Sequence, residues 1–260
     1  MNIFTQFVKS FYDFKMLSAF RFQKIGKTIG YVFFMMAIAT FPFAISFGVS
    51  INNMMNSVDT TLNGWPDFEI ENNRLVIEGE PSKVEQNGST FIIDDTGETT
   101  SEEFIDESIE GVALLANEMV FLADNEPFQI SYKAAAIENI SKNEIQDLVD
   151  SLQSIKVVAI IIISIGVYLF TTALKFIGIS FLGLLGLLIA RYQSKTLDYK
   201  KLWVLSAYAV TAPTILFAIL DSTKVIIPFG FWIYWILSIL LLHFIIKKIP
   251  TPKRQEETTM

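Results

Sequence analysis

The feature that most constrains this chain is an apolar run over residues 157–190, closed by Arg191-Tyr192-Gln193-Ser194-Lys195 and then Lys200-Lys201. The run is 34 residues long and contains a single charge, Lys175. A membrane helix needs about 20 apolar residues, so this run is too long and too apolar for an ordinary core helix. Two readings are open. One is a single tilted helix that crosses once; the other is a hairpin turning at Lys175. Three observations weaken the hairpin. Leu174-Lys175-Phe176 contains no turn residue, Gly178 comes late, and residues 176–190 would rise only about 22 Å at 1.5 Å per residue, short of a ~30 Å hydrocarbon core. The hairpin also leaves Arg191, Lys195, Lys200 and Lys201 outside, against the tendency of basic residues to stay cytoplasmic. One crossing is favoured, which makes four transmembrane helices in all; the hairpin would make five.

The remaining spans follow from the same logic. Residues 29–51 form a full-length apolar segment containing Pro42, with basic residues before it. They lack the shorter core and small-residue cleavage site of a secretory signal, so they read as an uncleaved signal-anchor. Residues 155–190 form the second span, 202–220 the third, with Pro213, and 225–246 the fourth, with Trp232, Tyr234 and Trp235. Asp221-Ser222-Thr223-Lys224 reads as a short outer turn. The loop 191–201 and the tail 247–260 are basic, so both ends of the chain are expected on the cytoplasmic side. Residues 1–28 read as a basic amphipathic segment, with Phe4, Phe7, Val8, Phe11, Phe14 and Leu17 at helical spacing and Lys9, Lys15, Arg21, Lys24 and Lys27 supplying charge. Such a segment lies in an anionic headgroup layer or packs beneath the bundle.

Charge is sorted along the chain. The overall net charge of −7 hides this: residues 51–155 hold 22 of the 27 acidic residues but only four of the 20 basic ones, Arg74, Lys83, Lys133 and Lys142. An acidic domain of this kind would repel nucleic acid. Hydrophobic residues make up 52% of the chain and the mean hydropathy is +0.44, as in multi-pass membrane proteins.

Residues 52–154 are expected to form an extracytoplasmic α+β domain. Strand-like runs occur at 67–70, 74–78, 90–94, 111–122 and 128–132. Asn72-Asn73, Asn87-Gly88, Asp95-Thr96-Gly97 and Asp124-Asn125-Glu126-Pro127 are turn material between them. Residues 99–110 are acidic and read as a helical excursion. Ser141 with Glu144 three residues on is a capping-box pattern, and Ile145, Leu148, Leu152 and Ile155 follow at helical spacing. A stem helix is therefore expected from about residue 141, running straight into the second span.

Few residues point to chemistry. Cysteine is absent and His243 is the only histidine, so a typical zinc site cannot be assembled; His243 reads as packed or interfacial. No serine-hydrolase elbow, phosphate-binding glycine loop or HExxH sequence occurs. Asp94, Asp95 and Glu98 lack the alternating ligands of a calcium loop and read as a solvated turn. Asn87-Gly88-Ser89 and Asn139-Ile140-Ser141 match the glycosylation pattern, which short sequences meet by chance. Gly178, Gly183 and Gly186 do not form GxxxG and read as points of close helix contact. No catalytic, cofactor-binding or metal-binding residue and no cofactor is expected. Lys175 is the one candidate functional residue, because a charge deep in a membrane helix costs several kcal/mol unless paired or wetted. The bland alternative is that its ammonium snorkels to a headgroup.

The order of several short segments resembles a known family. These are Phe11-Tyr12, Phe20-Arg21-Phe22 and Ile25-Gly26-Lys27 before the first span, and Phe91-Ile92-Ile93-Asp94-Asp95-Thr96-Gly97 in the outer domain. Later come Leu188-Ile189-Ala190-Arg191, Leu197-Asp198-Tyr199-Lys200-Lys201-Leu202-Trp203 and Ala207-Tyr208-Ala209-Val210-Thr211-Ala212-Pro213. Together they resemble a bacterial domain-of-unknown-function family sometimes labelled maltodextrin-utilisation membrane protein. The second half is also similar to the Yip superfamily of multi-pass proteins. The resemblance implies proximity to sugar-uptake genes and brings no catalytic residues.

The expected function is therefore that of a non-enzymatic membrane accessory or sensor, associated with carbohydrate uptake. Its partners would be the lipid bilayer and another membrane protein such as a sugar transporter, with no nucleic acid. A transporter or channel subunit using Lys175 is the first alternative, and a membrane enzyme the second.

Overall fold

The computed structural model describes residues 1–86, 88–123, 126–223, 225 and 227–250. Asn87 of the first sequon, the Asp124-Asn125 half of one expected turn, Lys224 and the tail from residue 251 lie outside the described residues. Two compact units emerge, one from residues 1–47 and 160–260, the other from residues 48–159. Among the described residues, four helical segments are long and apolar enough to cross a membrane: Ile25–Gly64, Lys142–Tyr192, Tyr199–Ser222 and Gly230–Lys247.

The 48–159 unit is built on two sheets. Strands β1 (Asp67–Glu71) and β2 (Arg74–Glu78) form a hairpin. Its turn holds Asn72 and Asn73 at φ 51° and 63°, the left-handed pair that suits a two-residue hairpin turn. β8 (Asn139–Ser141) pairs antiparallel on the other side of β1. The second sheet has the order β3-β4-β5-β6-β7, from β3 (Ser82–Gln86), β4 (Ser89–Asp94), β5 (Gly111–Leu115), β6 (Glu118–Ala123) and β7 (Glu126–Ser131). Among the described strands only β4 and β5 run parallel, and helix α4 (Ser101–Glu107) lies in the connection between them. Parallel pairing requires such a crossover.

β4 carries three consecutive apolar residues, Phe91-Ile92-Ile93, because both of its faces are covered. Phe91 and Ile93 join a core with Phe68, Ile70, Leu75 and Tyr132. Ile92 faces the opposite way, into a second core with Phe104 of α4, Val120 and Leu122. Gly111 fixes where β5 meets β4, since a Cβ there would stand 1.9 Å from the Thr90 carbonyl oxygen. The run 111–122 is two strands rather than one, split at Ala116-Asn117, and β3 and β8 are strands that the sequence pattern did not mark.

Helices α3 (Ile25–Gly64) and α5 (Lys142–Tyr192) also contribute to this unit. α3 continues well beyond residue 51, because Met55, Leu62 and then Trp65 bury at helical spacing in the same core as Val149 of α5. Polar contacts tie the two helices here. Lys156 Nζ donates to Asn52 Oδ1 at 2.9 Å, Gln146 Nε2 donates to Asn63 Oδ1 at 3.1 Å, and Lys142 Nζ donates to the Trp65 carbonyl at 2.8 Å. The expected capping box is present. Ser141 N donates to Glu144 Oε2 at 2.8 Å and Glu144 N to Ser141 Oγ at 3.3 Å, holding the Glu144 carboxyl below its ordinary pKa.

The other unit is helical. α5 is continuous through Lys175, so the chain does not turn there. α6 (Tyr199–Ala209) and α7 (Thr211–Ser222) meet at Val210. Pro213 cannot donate to the Ala209 carbonyl, and the interrupted ladder explains the joint. α8 spans Gly230–Lys247, starting five residues later than the apolar run beginning at 225. Residues 1–28 are not one amphipathic helix. They form α1 (Ile3–Lys9), α2 (Phe14–Ala19) and a single 3₁₀ turn, after which α3 begins at Ile25. Asp13 breaks the pattern, its carboxylate accepting from Met16 N at 2.9 Å as the N-cap of α2. α6 is the centre of the unit: Leu202, Val204, Leu205, Ala207 and Tyr208 are fully buried. Gly183 and Gly186 let α5 approach it, since a Cβ at Gly183 would stand 3.3 Å from Trp203 Cα and one at Gly186 3.3 Å from Leu202.

Candidate functional site

Lys175 projects from α5 toward α7 and α8. Its Nζ donates to Tyr234 Oη at 2.9 Å and to Thr214 Oγ1 at 3.1 Å, and lies 4.6 Å from the centre of the Tyr234 ring. The proton directions are fixed by what lies behind these groups. Thr214 gives its hydroxyl hydrogen to the Val210 carbonyl at 2.6 Å, the i−4 bond that threonine commonly makes in a helix. Thr214 therefore accepts from Lys175. Tyr234 Oη also accepts from Lys175 and has its own hydrogen to give to Thr214, 3.2 Å away. An ammonium carries three hydrogens; two are taken, and the third has no partner among the described residues.

Two cavities border this group. The first, about 400 Å³, is lined by Lys175, Thr171, Gly178, Phe217, Tyr234 and Trp235 among others. The second, about 370 Å³, shares Lys175, Thr171 and Tyr234 and adds Thr40, Thr214, Asp221 and Ser222. Asp221 thus belongs to the surroundings of Lys175, although no ion pair forms between them. Gly230 permits the packing at the start of α8, where a Cβ would stand 3.1 Å from the Phe217 ring. The ammonium turns into the unit between helices rather than outward, so simple snorkelling does not describe it.

A second polar cluster, unmarked in the sequence, lies inside the helical unit. Tyr31 Oη contacts Ser10 Oγ at 3.0 Å and Thr211 Oγ1 at 2.7 Å. Tyr208 Oη donates to Gln6 Oε1 at 2.6 Å, and Gln23 Nε2 donates to the same oxygen at 3.2 Å. These bonds join the N-terminal segment to α3, α6 and α7. Gln6 at 0% exposure would have been costly to bury alone, which explains why it has partners. The only clue in the sequence was the presence of Gln6, Ser10 and Gln23 among phenylalanines.

The remaining candidates are structural. Asp94 is 3% exposed. Burial acts to raise its pKa, but the hydroxyl and amide of Thr96 and the amide of Thr99 all donate to it, and the carboxyl is held at about 2. Asp95 accepts from Ile77 N at 3.1 Å, so the pair braces a turn that Gly97 closes at φ 81°. Among the described residues no three His, Cys, Asp or Glu side chains converge as metal ligands. His243 Nδ1 faces Gln193 Nε2 at 3.1 Å. In the sheet unit a polar cavity of about 380 Å³ is bounded by Gly97, Thr99, Ser101, Glu102, Asn117 and Glu118. Of the second sequon, Asn139 and Ser141 pair with Glu71 and Glu69 in the sheet.

Comparison with curated proteins and with solved structures finds no match. Residues 4–246 match the family model DUF1189, described as a protein of unknown function. That match takes in both units, the strands around Asp94 and the helices around Lys175, and the chain belongs to the DUF1189 family.

Proposed function

We propose that this chain is an integral protein of the bacterial plasma membrane with four crossings, both ends cytoplasmic and the acidic sheet unit outside. It acts without catalysis of its own, as an accessory or sensing subunit of a carbohydrate uptake system such as one for maltodextrin. The placement rests on charge: Arg191, Lys195, Lys200, Lys201, Lys247 and Lys248 cluster at one end of their helices, and such residues stay inside. The sugar association rests on the resemblance to proteins carrying that label, and the second half's resemblance to the Yip superfamily agrees with a multi-pass bundle.

One observation carries the sensing role. The sheet unit is connected to the rest of the chain by α3 and α5 themselves, each an unbroken helix with residues in both units. Ligand or partner binding to the sheet unit would then act on helices that also carry Tyr31 and Lys175. The polar cavity beside Glu102 and the exposed aromatic pair Phe121 and Phe128, 6.5 Å apart on β6 and β7, supply surfaces for it. The test is cross-linking of the full chain in native membranes, followed by identification of the captured protein. A membrane component of a sugar transporter is expected, lost on Phe128→Asp; capture unchanged by that variant, or of no transporter component, contradicts the reading.

The two cavities at Lys175 favour a second reading, a transporter or channel subunit. There, Lys175→Leu would leave the protein abundant yet abolish the phenotype that deletion produces. In the accessory reading the phenotype follows the sheet-unit variants instead.

A further inference from the structure

We infer that Lys175 is the head-group anchor of a binding site for an anionic amphiphile, whose apolar portion occupies the cavity between α5, α7 and α8. The inference rests on the membrane placement proposed above and adds to it a ligand class.

The charge of Lys175 is the starting point. Its ammonium has only neutral partners, two hydroxyl oxygens and an aromatic face. No acidic side chain pairs with it among the described residues. A cation in apolar surroundings needs a counter-charge or water, and the unused third N–H is where either would bind. Thr214 and Tyr234 fix the other two hydrogens, so the ammonium is oriented before any ligand arrives.

The shape of the site selects an amphiphile. The first cavity, about 400 Å³, is lined by Met36, Leu174, Phe217, Phe231 and Trp235 around that one cation. An apolar wall with one convergent charge is the usual makeup of a small-molecule site. The second cavity holds Asp221, which would repel an anion, so the anion and its tail belong to the first.

Depth agrees with this. Tyr234 lies one turn into α8, and the 13 residues from it to Lys247 rise about 20 Å. Lys175 lies 17 residues before Tyr192, about 25 Å along α5. In a hydrocarbon core of about 30 Å, the ammonium sits within about 5–10 Å of the outer boundary. A phosphate or carboxylate at that level keeps its chain in the hydrocarbon.

The test uses the full-length protein purified from membranes in a zwitterionic detergent, with tryptophan emission as the readout because Trp235 lines the cavity. Dodecyl phosphate is the probe; dodecanol supplies the same tail without charge, and inorganic phosphate the anion without a tail. Dodecyl phosphate is expected to give a saturable change, weakened about tenfold or more by Lys175→Gln through loss of a charge-assisted contact. Neither control compound should saturate. Equal affinity of Lys175→Gln for dodecyl phosphate overturns the site. Saturation by inorganic phosphate at similar concentration overturns the amphiphile assignment in favour of a small free anion. Should Lys175→Gln fail to give a monodisperse protein, Phe217→Trp narrows the cavity with the cation retained. Weakened binding of dodecyl phosphate is then expected, and unchanged binding overturns the proposal. A protein recovered from the membrane fraction that binds no probe overturns the site alone and leaves the membrane placement standing.

Discussion

The sheet unit and the helical unit differ in what they expose. In the sheet unit the apolar residues are inside: Phe68, Ile93 and Val120 are buried, and Glu78, Glu98 and Glu126 are exposed. The helical unit also has a buried apolar core, but its outside is apolar too. Ile162, Phe170, Ile177 and Leu188 are each more than 60% exposed, while Gln6, Ser206 and Thr211 are wholly buried. A water-facing protein cannot afford that outer surface, whereas in hydrocarbon it costs nothing and buried polar pairs hold helices together. One chain therefore carries two rules for what counts as the outside.

Substitutions placed one in each unit should have different readouts. Ile93→Asp puts a charge into a sheet core with no partner, and about 4 kcal/mol or more is lost. The 48–159 fragment is expected to melt cooperatively as the parent and to lose that transition in the variant. Ile162→Asp falls on a site that is 64% exposed. On a water-facing surface it would change stability by less than about 0.5 kcal/mol. Facing lipid, it costs about 2.5–3.5 kcal/mol of insertion, and the amount of full-length protein in the membrane fraction should fall. A neutral Ile162→Asp would remove the contrast between the units.

A smaller effect is expected in the sheet unit. Asp94 is held at a pKa of about 2, below its ordinary value near 3.9. The carboxylate therefore stabilises the fold above about pH 4, and that contribution of about 2 kcal/mol disappears as pH falls through 2. Asp94→Asn should lower the melting temperature of the fragment at pH 7, with the gap from the parent closing between pH 4 and pH 2. A gap that stays constant with pH would mean that the charge is not what Thr96 and Thr99 hold.

These same residues show how far the sequence could be read. The apolar runs of α3, α5, α6–α7 and α8 were visible because each depends on local composition. So were the Asn72-Asn73 turn and the Ser141–Glu144 cap, which depend on neighbours three residues apart or fewer. β3 was hidden because Ser82-Lys83-Val84-Glu85-Gln86 sits at the sheet edge and buries little. The turn at Ala116-Asn117 was hidden because it contains no glycine or proline and, apart from Glu118, lies among apolar residues. In the N-terminal segment, phenylalanine spacing continued across Asp13 although the helix does not. Lys175 could be singled out as a lone charge, but its partners could not: Thr214 is 39 residues away and Tyr234 is 59. Which hydroxyls meet it depends on how α7 and α8 pack against α5, and that packing is set by tertiary contacts.

The smallest predicted change lies where the units share a helix. Ser141→Ala removes the cap oxygen that Glu144 N uses at 3.3 Å, at a cost of about 1 kcal/mol or less. It should shift the melting of the sheet fragment slightly and leave the abundance of the full-length protein unchanged. A fall in abundance as large as that from Ile162→Asp would mean that the start of α5 governs the helical unit as well.

The most direct test asks which solvent each unit meets. The chain contains no cysteine, so single cysteines report cleanly. With an impermeant thiol reagent on intact cells, Glu98→Cys in the sheet unit should be labelled. Lys200→Cys, between α5 and α6, should be labelled only after the membrane is opened. Labelling of Lys200→Cys in intact cells, or protection of Glu98→Cys, would contradict the four-crossing account.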